Sequence, residues 1–280
     1  MTPMKVALLG LGSVGRGVAQ VLSNPSYGFV ITAAADSKSG VVAEQGTSLN
    51  MDDVFSRKAA TGKCGDAAWT ADRIVREAEY DILVEVTPTN AQTGEPALSN
   101  IRAALQRGKH VVTSNKGPVS IAYPELSRLA AEHNVAFLFE GTVAGAVPII
   151  NGLTHGLAGN KVHQLFGILN GTCNYVLTRM EEEGLTYSQA LDEARDLGYA
   201  EADPTYDVNG TDAAIKLVIL ANAVFNMGVT LDDVIRIGID RLTPDALRMA
   251  GTTGHTIRLI ASIHPDKRLL EVSPRLIPKD

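Results

Sequence analysis

Near its N-terminus the chain places three glycines within six residues, Gly10-Leu11-Gly12-Ser13-Val14-Gly15, and this cluster constrains the fold more than any other feature. The apolar run Lys5 to Leu9 leads into it, and a helical pattern from about Val14 to Leu22 leaves it. A strand that turns sharply into a nucleotide-binding helix needs one glycine for the tight turn and a second where the backbone must approach a pyrophosphate. It needs a third where helix and strand pack closely. Gly10, Gly12 and Gly15 fill those places in order. The next strand, Phe29 to Ala35, ends at Asp36, roughly 20 residues beyond the loop, where a dinucleotide fold places its ribose ligand. The helix start then offers unpaired N–H groups to the anion. We therefore expect Gly10, Leu11, Gly12, Ser13, Val14, Gly15 and Asp36 to meet a dinucleotide. Asp36 would bond a ribose 2′-hydroxyl and repel a 2′-phosphate, which favours NAD over NADP. Lys38 and Arg57-Lys58 are either the cations that would neutralise such a phosphate or a solvated surface.

The alternation continues with a strand over Asp81 to Thr87, stopped by Pro88, and a helix to about Arg107. It ends with a strand over His110 to Thr113, a helix over Tyr123 to His133 and a strand over Val135 to Phe139. Strands and helices in turn give a parallel sheet covered by helices. Gly40 to Thr70 is polar and glycine-dotted, so it reads as a helix and loop inserted between units. The character changes after Glu140. Gly141 to Pro148 is a crossover of small residues, followed by a strand near Val162 to Leu169 and helices near Asn174 to Glu183 and Tyr187 to Leu197. A long helix spans about Asp212 to Phe225, and the tail alternates in Ile257 to Ile263 and Leu269 to Leu276. The fold class is α/β: a Rossmann-like dinucleotide-binding domain over residues 1–140, then an α+β substrate domain over residues 141–280.

Composition narrows the function. The chain has 280 residues, with 25 basic against 31 acidic side chains and a net charge of -6. No basic block exceeds two residues, so neither nucleic acid nor an anionic membrane is an expected partner. No stretch approaches the roughly 18 apolar residues of a membrane span, and the first apolar run is too short for a signal peptide. A cytoplasmic location is expected. Cys64 and Cys173 stand far apart, and the six histidines are scattered, so no disulfide framework or zinc site is legible.

The second half holds the chemistry. Glu201, Asp203, Asp207 and Asp212 put four carboxylates in twelve residues, and Lys216 follows inside the apolar helix Ala213 to Ala221. Asp212 and Lys216 share one helical face. The pair is either an exposed bridge worth a few tenths of a kcal/mol or a functional lysine in an apolar setting, where its proton affinity can be tuned. In the second case the acids hold a cationic amine while Lys216 handles a proton. Lys116 follows the strand His110 to Thr113, at the sheet edge where open α/β folds bind ligands. A plain loop lysine is the other reading there.

Together these segments resemble the homoserine dehydrogenase family. The resemblance rests on GLGSVGRGV at 10–18, VEVTPT at 84–89, TSNKGP at 113–118 and EGTVAGAVPII at 140–150. It continues in GILNGTCNYVLTRM at 167–180 and EADPTYDVNGTDAAIKL at 201–217. The motifs fall in the family's order and cover most of the chain to about residue 260. The resemblance implies a reversible conversion of L-homoserine and aspartate 4-semialdehyde with NAD or NADP, on the way to threonine and methionine. It implies that Lys216 is the proton donor and acceptor at the substrate oxygen. Lys116 then lies near substrate and nicotinamide, and Thr87 lies at the cofactor. Glu201 and Asp207 bind the amino acid with Asp212 in support, and Gly171 and Thr172 line the same pocket. Glu140 with the carbonyls of Val143, Gly145 and Val147 corresponds to a sodium site, and the second domain's sheet implies a homodimer.

One departure accompanies the resemblance. The family usually continues with a glycine-rich GAG-type loop and a TASAV-like helix that return to the cofactor domain, whereas this sequence stops at Ile277-Pro278-Lys279-Asp280. The alternative expectation is therefore a catalytically incomplete dinucleotide-binding protein. A dehydrogenase for a different amino-acid aldehyde is disfavoured, since a substrate without an α-ammonium gains little from so many acids.

Overall fold

Strand β1 (Met4–Leu9) is apolar on both sides, and the structure uses both: Val6 and Leu8 enter one buried layer, Ala7 and Leu9 the other. Such a strand belongs in a sheet covered on two faces. The structure, a computed structural model, describes residues 2–200 and 203–279, in two units, Met1–Ala146 and Val147–Asp280. In the first, β1 is flanked by β2 (Phe29–Ala35) and β4 (Ile82–Glu85), with β3 (Gly40–Val42), β5 (His110–Thr113) and β6 (Phe137–Leu138) completing the order β3-β2-β1-β4-β5-β6. All neighbours are parallel except β3, which runs antiparallel along β2. Helices α1 (Ser13–Leu22) and α2 (Met51–Thr61) close one face through Ala19, Val54 and Phe55. Helices α3 (Ala71–Glu77), α4 (Ala97–Gln106) and α5 (Lys116–Glu132) close the other through Ile74, Ile101 and Leu126. This is the Rossmann strand order, and the chain reverses direction of winding between β1 and β4, where ligands bind in such sheets.

Two details differ from the sequence reading. The inserted stretch adds β3 as well as the expected helix α2. Helix α5 begins at Lys116 rather than near Tyr123. Pro118 is its third residue, where an N–H has no intrahelical partner to lose. Pro124 lies inside, and Ala122 leaves helical geometry (φ −131°, ψ 21°), so the helix kinks instead of ending. Lys116 is thus the first residue of a helix capped by Asn115, whose side chain accepts from the N–H of Gly117.

The second unit is built on a four-stranded sheet. Its elements are α6 (Ile149–Asn151), β7 (Leu165–Gly167), α7 (Gly171–Glu183), α8 (Tyr187–Asp196), α9 (Thr205–Val208), α10 (Thr211–Phe225), β8 (Val234–Arg236), α11 (Pro244–Thr252), β9 (His255–His264) and β10 (Leu269–Pro278). The sheet order is β7-β9-β10-β8, with β9 antiparallel to both neighbours and β8 parallel to β10. Helix α10 is buried from Ala213 to Ile215 and again from Leu217 to Asn222. An all-round apolar helix belongs in a core. The elements α6, α9, β8 and α11 went unread in the sequence. Among the described residues no helix is long and apolar enough to cross a membrane.

Glu181 of α7 pins the open end of the β9–β10 hairpin. It accepts from Thr256 Oγ1 at 2.6 Å and Arg258 at 2.9 Å, and pairs with Lys279 at 2.9 Å. Burial pushes its pKa up, but the bonds from Thr256, Lys279 and Arg258 outweigh it and hold the carboxyl below its ordinary 4.5. A depressed acid stabilises the fold above the unfolded value and loses that contribution as pH falls through the folded one. Glu181→Gln should therefore cost the second unit about 2 kcal/mol at neutral pH. In urea unfolding, the gap from wild type should shrink as the pH is taken below 4.5.

Candidate active site

The glycine loop is built as the spacing demands. Gly10 adopts φ +100°, and a Cβ there would lie 2.6 Å from the carbonyl carbon of Val86 and 2.8 Å from the N of Thr87. A Cβ on Gly15 would come within 1.9 Å of the Gly10 carbonyl oxygen. Gly12, by contrast, faces open space and is the N-cap of α1, with no side chain capping the helix. Ser13 and Val14 are exposed at the helix start, and Leu11 is buried beneath the loop. Two glycines are thus fixed by packing, and the third leaves backbone N–H groups open to an anion.

Asp36 stands at the end of β2. Its Oδ1 accepts from the N–H groups of Lys38 and Ser39 at 2.9 and 3.0 Å. Its Oδ2 lies 3.2 Å from Lys58 Nζ, which also donates to the Leu11 carbonyl at 3.0 Å. Burial raises the Asp36 pKa, yet the bonds from Lys38, Lys58 and Ser39 hold it below the usual carboxylate range. Of the three cations considered, Lys38 and Arg57 are exposed, while Lys58 bridges the glycine loop and the acid. Sequence spacing gave no sign of that bridge, which joins positions 47 residues apart.

Beside the loop, Thr87 is half-buried and donates to the buried carboxylate of Glu85 through both its N–H and its hydroxyl. Lys116 is half-buried at the start of α5. Glu140 lies in a 3₁₀ turn over Glu140–Thr142, and Val143 is fully buried after it. Gly145 has φ +59° and is exposed, and Val147 is 58% exposed. Among the described residues no cluster of three or more His, Cys, Asp or Glu side chains is arranged to hold a metal.

In the second unit the polar side chains converge. Lys216 Nζ lies 2.7 Å from Asp212 Oδ2 and donates to the Leu169 carbonyl at 2.7 Å. Its side chain is only 16% exposed and that of Asp212 10%, so the pair is no surface bridge. Asn170 caps α7, its Oδ1 accepting from the Cys173 N–H at 2.8 Å. Its Nδ2 donates to Asp207 Oδ1 at 2.7 Å and to Asp212 Oδ2 at 2.9 Å. One buried amide thus holds two carboxylates, one of them the partner of Lys216. Gly171 is exposed at the first position of α7, and Thr172 is buried with its hydroxyl on the Tyr199 carbonyl. Burial, and then the charges of Asp207 and Asp212, push the Cys173 thiol far above its ordinary range, so it stays protonated and unreactive. Glu201 lies outside the described residues.

Asn170 and the Leu169 carbonyl were missed in the sequence. The helix expected from about Asn174 begins at Gly171, and Asn170 directly before it is a capping residue type, the signal that would have set the earlier start.

The glycine geometry sets up a contrast. Gly15→Ala should destabilise the first unit by about 3 kcal/mol or more, because the new methyl meets backbone. Gly12→Ala should leave stability within about 1 kcal/mol of wild type while weakening dinucleotide binding at least tenfold. Thermal melts paired with fluorescence titration of a reduced dinucleotide read both effects.

Comparison with known proteins follows the same division. The family model for homoserine dehydrogenase matches residues 148–280, and that for the homoserine dehydrogenase NAD binding domain matches residues 10–140. A homoserine dehydrogenase of Methanocaldococcus jannaschii is 41% identical over 289 residues, covering 99% of this chain and 85% of that protein. An NAD(+)-dependent homoserine dehydrogenase of Pseudomonas canavaninivorans is 38% identical, covering 100% of this chain and 84% of that one. A crystal structure from Archaeoglobus fulgidus assigned as a homoserine dehydrogenase superposes with a TM-score of 0.90 at 43% identity, over 98% of this chain and 84% of that one. With two family models spanning most of its length and such relatives, the chain belongs to the homoserine dehydrogenase family, nicotinamide-dinucleotide-dependent oxidoreductases that act on a CH–OH group.

Proposed function

We propose that the chain interconverts L-homoserine and L-aspartate 4-semialdehyde, in the synthesis of threonine and methionine, with Lys216 as general acid and base. The observation that carries this reading is the chain of contacts Lys216–Asp212–Asn170–Asp207. An ammonium has three N–H groups. Two are spent on Asp212 and the Leu169 carbonyl, which fixes the lysine and aims the third. That third N–H gives its proton to the nascent alkoxide when the aldehyde is reduced, and in the reverse direction the lone pair of the neutral amine takes the proton from the alcohol. Asp207, with Glu201, supplies negative charge for the α-ammonium, while Asp212 supports both Lys216 and Asn170. The N–H groups of Gly171 and Thr172 open α7 and suit the α-carboxylate, as helix starts suit anions.

Residues 1–140 take the dinucleotide and residues 141–280 the substrate. The bound nicotinamide supplies the hydride chemistry. Gly10 to Gly15 receive the pyrophosphate, Asp36 the ribose, and Thr87 and Lys116 the nicotinamide end, with Lys116 as a second catalytic lysine. NAD is the favoured cofactor, because Asp36 accepts from a 2′-hydroxyl and repels a 2′-phosphate. Lys58, 3.2 Å from Asp36, is the group that NADP would have to draw away. Glu140 and the carbonyls of Val143, Gly145 and Val147 are all oxygen donors, a set that suits a hard cation such as sodium.

The test is to follow reduced-nicotinamide absorbance with L-homoserine at alkaline pH, with NAD and NADP in separate runs. Wild type should turn over, faster with NAD. Lys216→Ala should cut kcat by about 10²–10⁴-fold and change dinucleotide affinity by less than twofold. Equal loss of both would remove Lys216 from the proton-carrying role.

The working molecule is a homodimer joined through the sheet of the second unit. Phe166 on the edge strand β7 is 67% exposed and Ile235 on the opposite edge strand β8 is 52% exposed, apolar surface that a second copy would bury. Light scattering should give twice the chain mass, and Phe166→Glu should shift it toward the monomer. A wild-type chain that stays monomeric at micromolar concentration would end this reading.

A further inference from the structure

Glu85 closes β4 with its side chain fully buried. A carboxylate that deep is costly unless its oxygens are satisfied. Thr87 donates to Oε1 twice, by its N–H at 2.9 Å and by its hydroxyl. Thr113 Oγ1, at the end of β5, lies 3.4 Å from Oε2 and bonds the Glu85 carbonyl at 2.8 Å. The same hydroxyl accepts from the Asn115 N–H at 2.9 Å, and Asn115 Nδ2 returns to the Thr87 carbonyl at 3.1 Å. Thr113 and Asn115 are 2% and 1% exposed, so this side of the ring is buried, while Thr87 is half-buried at its rim.

This ring joins three loop exits of the first unit. The Val86–Thr87 peptide is the wall against which Gly10 packs with no room for a Cβ. Asn115 is the N-cap of α5, one residue before Lys116. Burial pushes the Glu85 pKa up, and the bonds from Thr87, Asn115 and Thr113 only partly offset it. The sign matters: an acid with a raised pKa lowers stability at neutral pH, so the fold alone would be better served by a neutral side chain.

We propose that Glu85 is a positioning residue for the cofactor, its carboxylate fixing the β4 exit at Thr87 and, through Thr113 and Asn115, the start of α5 at Lys116. The proposal rests on the reading that Thr87 and Lys116 meet the nicotinamide end of the dinucleotide. Its expectation is a separation of binding from stability. The nearly isosteric Glu85→Leu removes the acceptors for Thr87 and sets its peptide loose, yet also removes a buried charge. Glu85→Gln keeps one carbonyl oxygen for Thr87 and an N–H₂ that can donate to Thr113.

The experiment titrates NADH by fluorescence into the 280-residue wild type and its Glu85→Leu, Glu85→Gln and Thr113→Val variants, with thermal melts and kinetics alongside. Glu85→Leu should raise the NADH Kd and the cofactor KM at least tenfold with the homoserine KM within twofold of wild type. Its melting temperature should not fall. Glu85→Gln should restore the Kd to within about threefold of wild type. Thr113→Val, which keeps both Thr87 bonds and removes the hydroxyl that joins Glu85 to Asn115, should raise the Kd between threefold and tenfold, and it decides the matter with Glu85→Gln if Glu85→Leu does not fold. A Kd unchanged in Glu85→Leu, or lower melting with parallel loss in both KM values, overturns the positioning role. Wild type that binds NADH without oxidising homoserine sinks the substrate reading and leaves this one to the Kd values. Wild type that binds no dinucleotide overturns both.

Discussion

The backbone of Gly10 lies against the Val86–Thr87 peptide at a separation that excludes even a methyl group, and much of the first unit follows from that contact. It requires β1 and β4 to leave the sheet side by side, which sets the switch in winding at their shared carboxyl edge. It also brings α1 down so closely that Gly15 touches the Gly10 carbonyl. With Gly10 and Gly15 consumed by packing, Gly12 is left facing open space at an uncapped helix start. Packing and ligand approach are thus divided among three residues. The anion site is what remains once the other two have been committed.

That division explains why this part of the molecule was legible in the sequence. A tight turn, a close approach and an open N-terminus are local demands, and each is written as a glycine at fixed spacing. Long elements were also legible: β2 and α10 carry their pattern over enough residues to be read. Helix α5 was misread at its start, where Pro118 looks like a breaker but occupies a free first-turn position, while Pro124, inside the helix as read, merely bends it. Three-residue strands such as β3 and β8 have too little sequence to show alternation, and they form because a longer neighbour offers them an edge.

The site followed the same rule. Asp212 and Lys216 are one helical turn apart, so their pairing was visible, but whether the pair was exposed or buried depended on what α10 packs against. Asn170 binds Asp207 and Asp212 across 37 and 42 residues, and Lys58 reaches Leu11 across 47. Bonds of that span leave no periodicity to read. Glu85 carried a different obscurity: an acid at the end of an apolar strand looks like a strand leaving the core, whereas the structure seals it completely.

The two units answer the problem of buried charge in opposite ways, and the difference matches what each charge has to do. Lys216 is met by a carboxylate and a carbonyl. Asp212 and the Leu169 carbonyl hold its Nζ in place from two sides, as a group that must meet a substrate oxygen requires. Glu85 is met by hydroxyl and N–H donors, which leave its pKa raised. Neutral donors hold a carboxylate less tightly than a cation would, but they arrive from several points of the backbone at once. A salt bridge would fix one side chain, whereas a carboxylate satisfied by Thr87 and Thr113 fixes the exits of two strands. The ion pair suits a group that must react, and the ring of neutral donors suits one that must hold others still.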